Sequence, residues 1–128
     1  MGLAVGSFAS VSLDPALVAF FPDQGSSSWP HIEAAGSFCV NILAEDQEVV
    51  CRRFATKGDD KFVGLGWRPA ASGAPLLDGV LAWIECAPHA TFPGGDHTLV
   101  VGHVLNGGTT DGAPLVYFRG GYTGLTRG

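Results

Sequence analysis

The segment from Gly2 to Pro15 constrains the fold more than any other, because its pattern predicts a β-strand built almost entirely from small side chains. It contains glycine, alanine, serine and valine, and its one aromatic residue is Phe8. A strand with so little bulk lets a flat ligand lie close to the backbone, where N–H and C=O groups can meet ring heteroatoms. The same pattern also fits a tightly packed β-corner that binds no ligand.

Short apolar runs separated by turn residues indicate a mainly β fold with flanking helices. Pro15 ends the first run, and Ala16–Phe21 predicts a second strand. Nineteen glycines and eight prolines supply the turns that short antiparallel connections need. The order of elements favours one domain over residues 1–128, a small barrel flanked by helices. The further predicted strands are Ser37–Leu43, Gly79–His89, Thr98–Asn106 and Leu115–Arg119.

Two short helices are predicted between these strands. Ser28 or a neighbouring residue can cap the first, which runs to Ala35 and stops at Gly36. Glu45–Ala55 forms the second, since acidic residues near its start and two arginines near its end match the helix dipole. Residues 56–78 are expected to be mostly loop, held to the body by Phe62, Leu65 and Trp67.

Charge and composition exclude several classes of protein. A net charge of −5 argues against non-specific nucleic-acid binding. No apolar run is long enough to cross a membrane. Because no basic segment followed by an apolar run stands at the start, we expect that the protein is not marked for secretion. Cys39, Cys51 and Cys86 form no CxxC pair, so we expect reduced, mostly buried thiols in a cytoplasmic protein.

The basic residues are concentrated in one window, because five of the seven fall between Arg52 and Arg68. This clustering fits either an ordinary solvated helix and loop or a local anion site. An anion site in an acidic protein would suit a small ligand that carries phosphate.

His97 is the histidine with the strongest candidate role. It follows the turn Gly94-Gly95-Asp96 and opens an apolar strand, where an imidazole can hydrogen-bond to a planar cofactor or stack on it. The alternative is a surface histidine paired with Asp96. The four histidines lack the spacing of a metal site, and no glycine-rich dinucleotide motif, P-loop or nucleophile elbow occurs. We therefore predict no metal.

The run Gly6–Pro15 resembles the flavin-binding strand of the short-chain flavin reductases, the reductase components of two-component flavin-dependent monooxygenases. The resemblance implies an FMN-binding split β-barrel that forms a homodimer. Family members carry an additional helix and a long strand before this segment, so we expect a barrel that is short on its N-terminal side. The similarity continues in order through Ser26–Trp29, Gly36–Leu43, Arg53–Ala55, Asp60–Phe62, Trp67–Pro69, Gly94–His97 and Phe118–Gly124.

The same resemblance implies a set of site residues. His97 would lie on the nicotinamide side, and Tyr122 would help to cover the cofactor. Ser26 and Ser27 would bind the flavin phosphate ahead of a helix. The flavin ring would be lined by Gly6, Ser7 and Phe8 and bordered by Phe21 and Pro22, and the phosphate end would be closed by Arg53, Phe54 and Ala55.

The implied activity is an NAD(P)H:flavin oxidoreductase, which would bind FMN or FAD and take hydride from NADH or NADPH. Hydride transfer depends on stacking the two rings rather than on acid–base residues. Reduced flavin would pass to a partner oxygenase, with no nucleic-acid or membrane partner. The alternatives are a non-enzymatic flavin-binding or storage module, and a split-barrel protein that holds another flat ligand such as haem or a pyridoxal derivative.

Overall fold

The structure, a computed structural model, describes residues 2–5, 8–55, 61–62, 64–109, 115–118 and 121–124. The elements within these residues are, in chain order, β1 (Phe8–Leu13), β2 (Ala16–Phe20), α1 (Trp29–Ala35), β3 (Phe38–Ile42), α2 (Glu48–Ala55), β4 (Trp67–Pro69), β5 (Pro75–Leu77), β6 (Ala82–Gly94), β7 (His97–Thr109), β8 (Leu115–Phe118) and β9 (Gly121–Gly124).

An antiparallel five-stranded sheet organises the molecule, with strand order β1-β2-β7-β6-β3. The long strands β6 and β7 form its centre, and they pair from Ala82 opposite Thr109 to Gly94 opposite His97. Gly95 and Asp96 make the tight turn between them, and Gly95 has the left-handed φ of 72° that such a turn requires. The predicted mainly β architecture with flanking helices is therefore confirmed.

The main core lies between this sheet and α1. The rings of Phe20, Trp29 and Phe38 contact one another edge to face, with centroid separations of 5.3 to 5.9 Å. Cys86 and Val100 lie fully buried in the same cluster. A Cβ at Gly102 would stand 2.9 Å from the Phe38 ring, so β7 approaches that ring more closely than any side chain would allow.

A second cluster of buried residues joins α2 to β5. Phe54 lies at its centre with Leu76 and Leu77, and Val50 packs against it from the preceding helical turn. Phe62 and Leu65 also pack there, which confirms that they anchor the segment after α2. Trp67 remains 47% exposed, although its ring lies 5.8 Å from that of Phe62.

Several element boundaries differ from the prediction. Gly2–Val5 is not strand, and β1 begins only at Phe8. The hairpin of β4 and β5 occupies a region predicted to be loop, and β9 was not predicted. α2 starts at Glu48 rather than Glu45, because Gln47 closes a turn in which its side-chain oxygen accepts from the Ala44 N–H at 2.9 Å.

Buried polar and thiol groups lie on β3 and β6. The Glu85 carboxylate accepts a hydrogen bond from the Ser72 N–H at 2.6 Å, and hydrogen bonding to Ser72 lowers the pKa of that carboxyl. Burial, reinforced by nearby charge, raises the pKa of Cys39 to about 11 and that of Cys86 to about 12. Both thiols are therefore protonated near neutral pH, which excludes them as thiolate nucleophiles.

Candidate functional site

The loop between β2 and α1 carries the serine cluster. Ser26 Oγ accepts hydrogen bonds from the N–H groups of Ser28 and Trp29, each at 3.3 Å. These N–H groups would otherwise lack partners in the first turn of α1. Ser28 is the N-cap residue of α1, as predicted, but its side chain makes no capping hydrogen bond, and Ser26 supplies the acceptor instead. Gly36 ends the helix with a φ of 82°, as predicted.

A cavity of about 250 Å³, which we call the polar cavity, brings the serine loop to the end of α2. Ser26 and Ser27 face it from one side, and Phe54 and Ala55 from the other. Four of the predicted cofactor-binding residues thus line one cavity, although 26 residues separate Ser27 from Phe54 in the sequence. The described residues that line it are Leu3, Ala4, Asp23, Gly25, Ser26, Ser27, Ser28, Phe54, Ala55 and Lys61.

Lys61 is a member of this cavity that the sequence did not single out. Its side chain is buried, and Nζ donates to the carbonyl oxygens of Gly2 at 2.8 Å and Phe54 at 3.3 Å. The basic window between Arg52 and Arg68 was the available signal, but it did not distinguish Lys61 from its neighbours. Arg53, which was predicted to close the phosphate end, is half-buried on α2 and lies outside the cavity lining.

His97 lies at the start of β7, next to the loop that leads into the serine cluster. Its backbone forms a β-bridge with Asp23, and the neighbouring Thr98 N–H donates to the Pro22 carbonyl at 2.9 Å. His97 Nδ1 lies 2.7 Å from Asp96 Oδ1, and this hydrogen bond lowers the pKa of the Asp96 carboxyl. Because a carboxylate only accepts hydrogen bonds, Nδ1 carries the hydrogen and Nε2 points away from the pair.

A larger apolar groove of about 770 Å³ adjoins the polar cavity. Leu3, Ala4 and Phe54 line both spaces, and Phe8 lines only the groove. Phe8 and the serine loop therefore line two adjoining spaces that share part of their wall. The groove is also lined by the core aromatics and by residues of α1, β3, β5 and the turn before β5.

The remaining predicted cofactor-binding residues are Phe21, Pro22, Tyr122, Gly6 and Ser7. Phe21 is half-buried after β2, and Pro22 is fully buried with its carbonyl engaged by Thr98. Tyr122 belongs to β9, opposite Tyr117 of β8. Gly6 and Ser7 lie outside the described residues.

Substitution of Ser26 separates its capping role from any ligand contact. We expect Ser26→Ala to lower the free energy of unfolding by about 1 kcal/mol, because the N–H groups of Ser28 and Trp29 at the start of α1 lose their acceptor. Ser27 is exposed, so Ser27→Ala should change stability by less than about 0.5 kcal/mol. Urea unfolding of both variants measures their free energies of unfolding. Equal losses of stability would contradict the assignment of these capping hydrogen bonds to Ser26.

The described part of the chain supports neither a metal site nor a membrane-spanning helix. No group of three or more histidine, cysteine, aspartate or glutamate residues among those positions could hold a metal ion. Likewise, none of the helices described is long and apolar enough to cross a membrane.

Comparisons with known proteins define the class. Residues 1–126 match the family model of the flavin reductase-like domain. The chain is 54% identical to a flavin reductase of Pseudomonas putida over 126 residues, which cover 97% of this chain and 74% of that protein.

Solved structures agree with the family match. Nitrilotriacetate monooxygenase component B from Mycobacterium thermoresistibile superposes with a TM-score of 0.92 at 47% identity, covering 97% of this chain and 71% of that one. The NADH:FAD oxidoreductase of Streptomyces globisporus, solved with NAD and FAD fragments, gives 0.89 at 32% identity, covering 95% and 75%.

The chain belongs to the flavin reductase-like domain family. Its mainly β fold is the split barrel of the flavin reductases, so both the resemblance and the fold class predicted from the sequence are confirmed.

Proposed function

We propose that the chain is an NAD(P)H:flavin oxidoreductase that reduces FMN or FAD by hydride transfer and supplies reduced flavin to a partner monooxygenase. The observation that carries the proposal is the polar cavity, where Ser26, Ser27, Phe54 and Ala55 converge beside the groove that Phe8 lines. The relatives support it, because one is named a flavin reductase and another an NADH:FAD oxidoreductase.

The residues of the two adjoining spaces fit a flavin. Serine hydroxyls in the polar cavity can donate to phosphate oxygens, and the Ser26 hydroxyl keeps its hydrogen for this because its oxygen only accepts from α1. The groove that Ala4 and Phe8 line has a volume of about 770 Å³, which is large enough for a flat ring system. When bound, flavin supplies the ring that accepts hydride from the nicotinamide.

The protein's part in the reaction is to bind and orient. Ser26 and Ser27 hold the phosphate end, and Phe54 and Ala55 exclude water behind it. His97 stands beside Asp23 at the cavity rim, where its Nε2 can hydrogen-bond to the nicotinamide nucleotide. We propose in addition that Phe21 and Pro22 border the flavin, that Gly6 and Ser7 line its ring and that Tyr122 helps to cover it. Arg53 does not line the polar cavity, and a role for it at the phosphate end would need it to reach the ligand from α2.

The proposal includes a homodimer in the cytoplasm. Edge strand β1 exposes Val11 and Leu13, and a second copy of the chain could cover these side chains. None of the three cysteines forms a disulfide bond, which is consistent with a reducing compartment.

A turnover assay with added flavin tests the function. Purified protein is mixed with FMN or FAD and with NADH or NADPH, and the loss of nicotinamide absorbance is followed. We expect flavin-dependent oxidation of at least one nucleotide. Yellow protein that binds flavin but consumes neither nucleotide would instead show a non-enzymatic flavin-binding module, which the relatives' names do not favour.

A further inference from the structure

The hairpin of β4 and β5 forms one wall of the apolar groove. Its tip contributes residues 72–75 to the lining, and β5 contributes Leu77. The two strands pair with each other in a two-stranded sheet, and a hairpin of this size is marginally stable unless it packs against other elements. The position of this wall therefore depends on the contacts that fasten the hairpin to the five-stranded sheet.

Glu85 of β6 fastens the hairpin at its tip. The residue is only 2% exposed, and its carboxylate accepts from the Ser72 N–H at 2.6 Å. Because hydrogen bonding to Ser72 lowers the pKa of this carboxyl, the group is charged at neutral pH. Hydrogen bonds to a charged acceptor are stronger than those between neutral groups, and removing one partner of a buried bond is costly. The turn at Ser72 is therefore held firmly against β6.

Asn41 of β3 fastens the same hairpin along β5. Its side-chain oxygen accepts from the Leu77 N–H at 3.0 Å, and its nitrogen donates to the Pro75 carbonyl at 3.2 Å. Cys39 lies opposite Glu85 in the pairing of β3 with β6, and residues two positions apart share one face of a strand. Asn41 and Glu85 therefore lie on the same face of the sheet, and the hairpin is attached to this face.

The two attachments differ in their relation to the groove. Asn41 lines the groove itself, whereas Glu85 lies behind the hairpin and does not belong to the lining. Glu85 can therefore act on a bound ligand through the hairpin tip that it holds. The tip presents the apolar side chains of Ala74 and Pro75 to the groove, and such a wall suits contact with a ring rather than with a phosphate group.

Resting on the proposed function, we propose that Glu85 is a positioning residue for the flavin ring. Its carboxylate sets the place of the hairpin tip, and the tip forms the wall against which the ring packs. Because the wall is already held before a ligand arrives, less ordering is needed when the ring binds. Loss of the acceptor at Glu85 should loosen the tip and weaken binding of the ring.

Binding of lumiflavin and FMN to matched variants tests the inference. Lumiflavin carries a methyl group in place of the ribityl phosphate chain of FMN, so its affinity reports on the ring alone. Dissociation constants are measured by quenching of flavin fluorescence. Glu85→Met keeps an unbranched side chain but removes the acceptor, and it should weaken both ligands by the same factor, at least about fivefold.

Two further variants provide the rescue and the control. Glu85→Gln should stay within about twofold of the wild type for both ligands, because its amide oxygen can still accept from the Ser72 N–H. Glu33→Gln makes the same change at an exposed position of α1 that lines neither the groove nor the polar cavity, and it should leave both constants unchanged. Unchanged lumiflavin binding in Glu85→Met would overturn the inference, as would equal losses in Glu85→Gln and Glu85→Met.

Amide hydrogen exchange separates positioning of the tip from a general loss of stability. In Glu85→Met, the Ser72 amide should exchange at least about tenfold faster than in the wild type. The amides of Val100 and Val101, in the centre of the sheet, should change much less. Equal acceleration of all three amides would show that Glu85 only stabilises the fold, and it would overturn the inference.

Exchange in the wild type keeps the inference testable if Glu85→Met does not fold. Saturating FMN should slow exchange of the Ser72 amide, because a ring packed against the tip restrains the hairpin. The matched amide is that of Gly107, which also donates to a side-chain oxygen, at 2.9 Å to Asn106, and it should slow less. Equal changes at the two amides would overturn the inference alone. Wild-type protein that binds no FMN would overturn the proposed function together with it, so the two failures are distinguishable.

Discussion

His97→Ala should lower kcat/KM for the nicotinamide nucleotide by about tenfold to a hundredfold while leaving the FMN dissociation constant within about twofold. The difference arises from where His97 lies. It contacts the loop at Asp23, at the rim of the polar cavity, but it does not line the cavity itself. Its removal should therefore affect the second ligand more than the flavin.

The geometry of the Asp96–His97 pair gives the physical reason. Asp96 accepts from Nδ1 at 2.7 Å, which favours the tautomer with the hydrogen on Nδ1. Nε2 then points away from the pair and can hydrogen-bond to a nucleotide that approaches the cavity rim. Alanine removes this group without disturbing the backbone bridge between residues 23 and 97.

Steady-state oxidation of NADH and NADPH, together with flavin fluorescence titration, measures both effects. His89→Ala is the matched control, since His89 is an exposed histidine of β6 that lines neither cavity. It should leave both quantities unchanged. Equal losses of nucleotide turnover and of flavin affinity in His97→Ala would remove the proposed role of His97.

Local signals were sufficient to predict the elements on which the site is built. Gly36 ends α1 because glycine adopts a left-handed φ without strain, so a single residue was enough to predict where this helix ends. The four-residue spacing of Val50 and Phe54 placed the buried face of α2 correctly. The turn at Gly95 and Asp96 was likewise predicted from the sequence. Towards this turn, β6 and β7 extend beyond the apolar runs that predicted them, because paired strands stabilise each other.

Long-range contacts account for what the sequence could not predict. Lys61 acquires its place in the cavity from a hydrogen bond to a carbonyl 59 positions away, and nothing near Lys61 encodes that partner. The hairpin of β4 and β5 is held by Asn41 of β3, whose side chain accepts from the Leu77 N–H and donates to the Pro75 carbonyl. Short strands of this kind depend on their neighbours rather than on their own propensity.

Trp29→Ala should destabilise the fold more than any other substitution considered, by about 3 to 5 kcal/mol in the free energy of unfolding. Trp29 is only 7% exposed, and its ring makes edge-to-face contacts with both Phe20 and Phe38. Alanine would leave a cavity between α1 and the sheet and would also remove these aromatic contacts.

Trp67→Ala is the matched control, because Trp67 is 47% exposed and contacts the ring of Phe62 alone among the described aromatic pairs. We expect it to cost about 1 kcal/mol. Urea unfolding followed by far-ultraviolet circular dichroism suits both variants, since it does not depend on the indole that each one loses. Similar midpoints for the two variants would contradict the assignment of Trp29 to the core.

The consequence of Trp29→Ala should extend from the core to the site. The backbone N–H of Trp29 donates to Ser26 Oγ, which ties the serine loop to the start of α1. Because the Trp29 ring anchors α1 to the sheet, a shift of α1 in Trp29→Ala should also move the serine loop in the polar cavity. A variant that remains folded should therefore bind FMN more weakly, whereas Trp67→Ala should not. Unchanged FMN affinity in folded Trp29→Ala would mean that the serine loop keeps its place through its own turn, in which the Ser26 N–H donates to the Asp23 carbonyl at 2.9 Å.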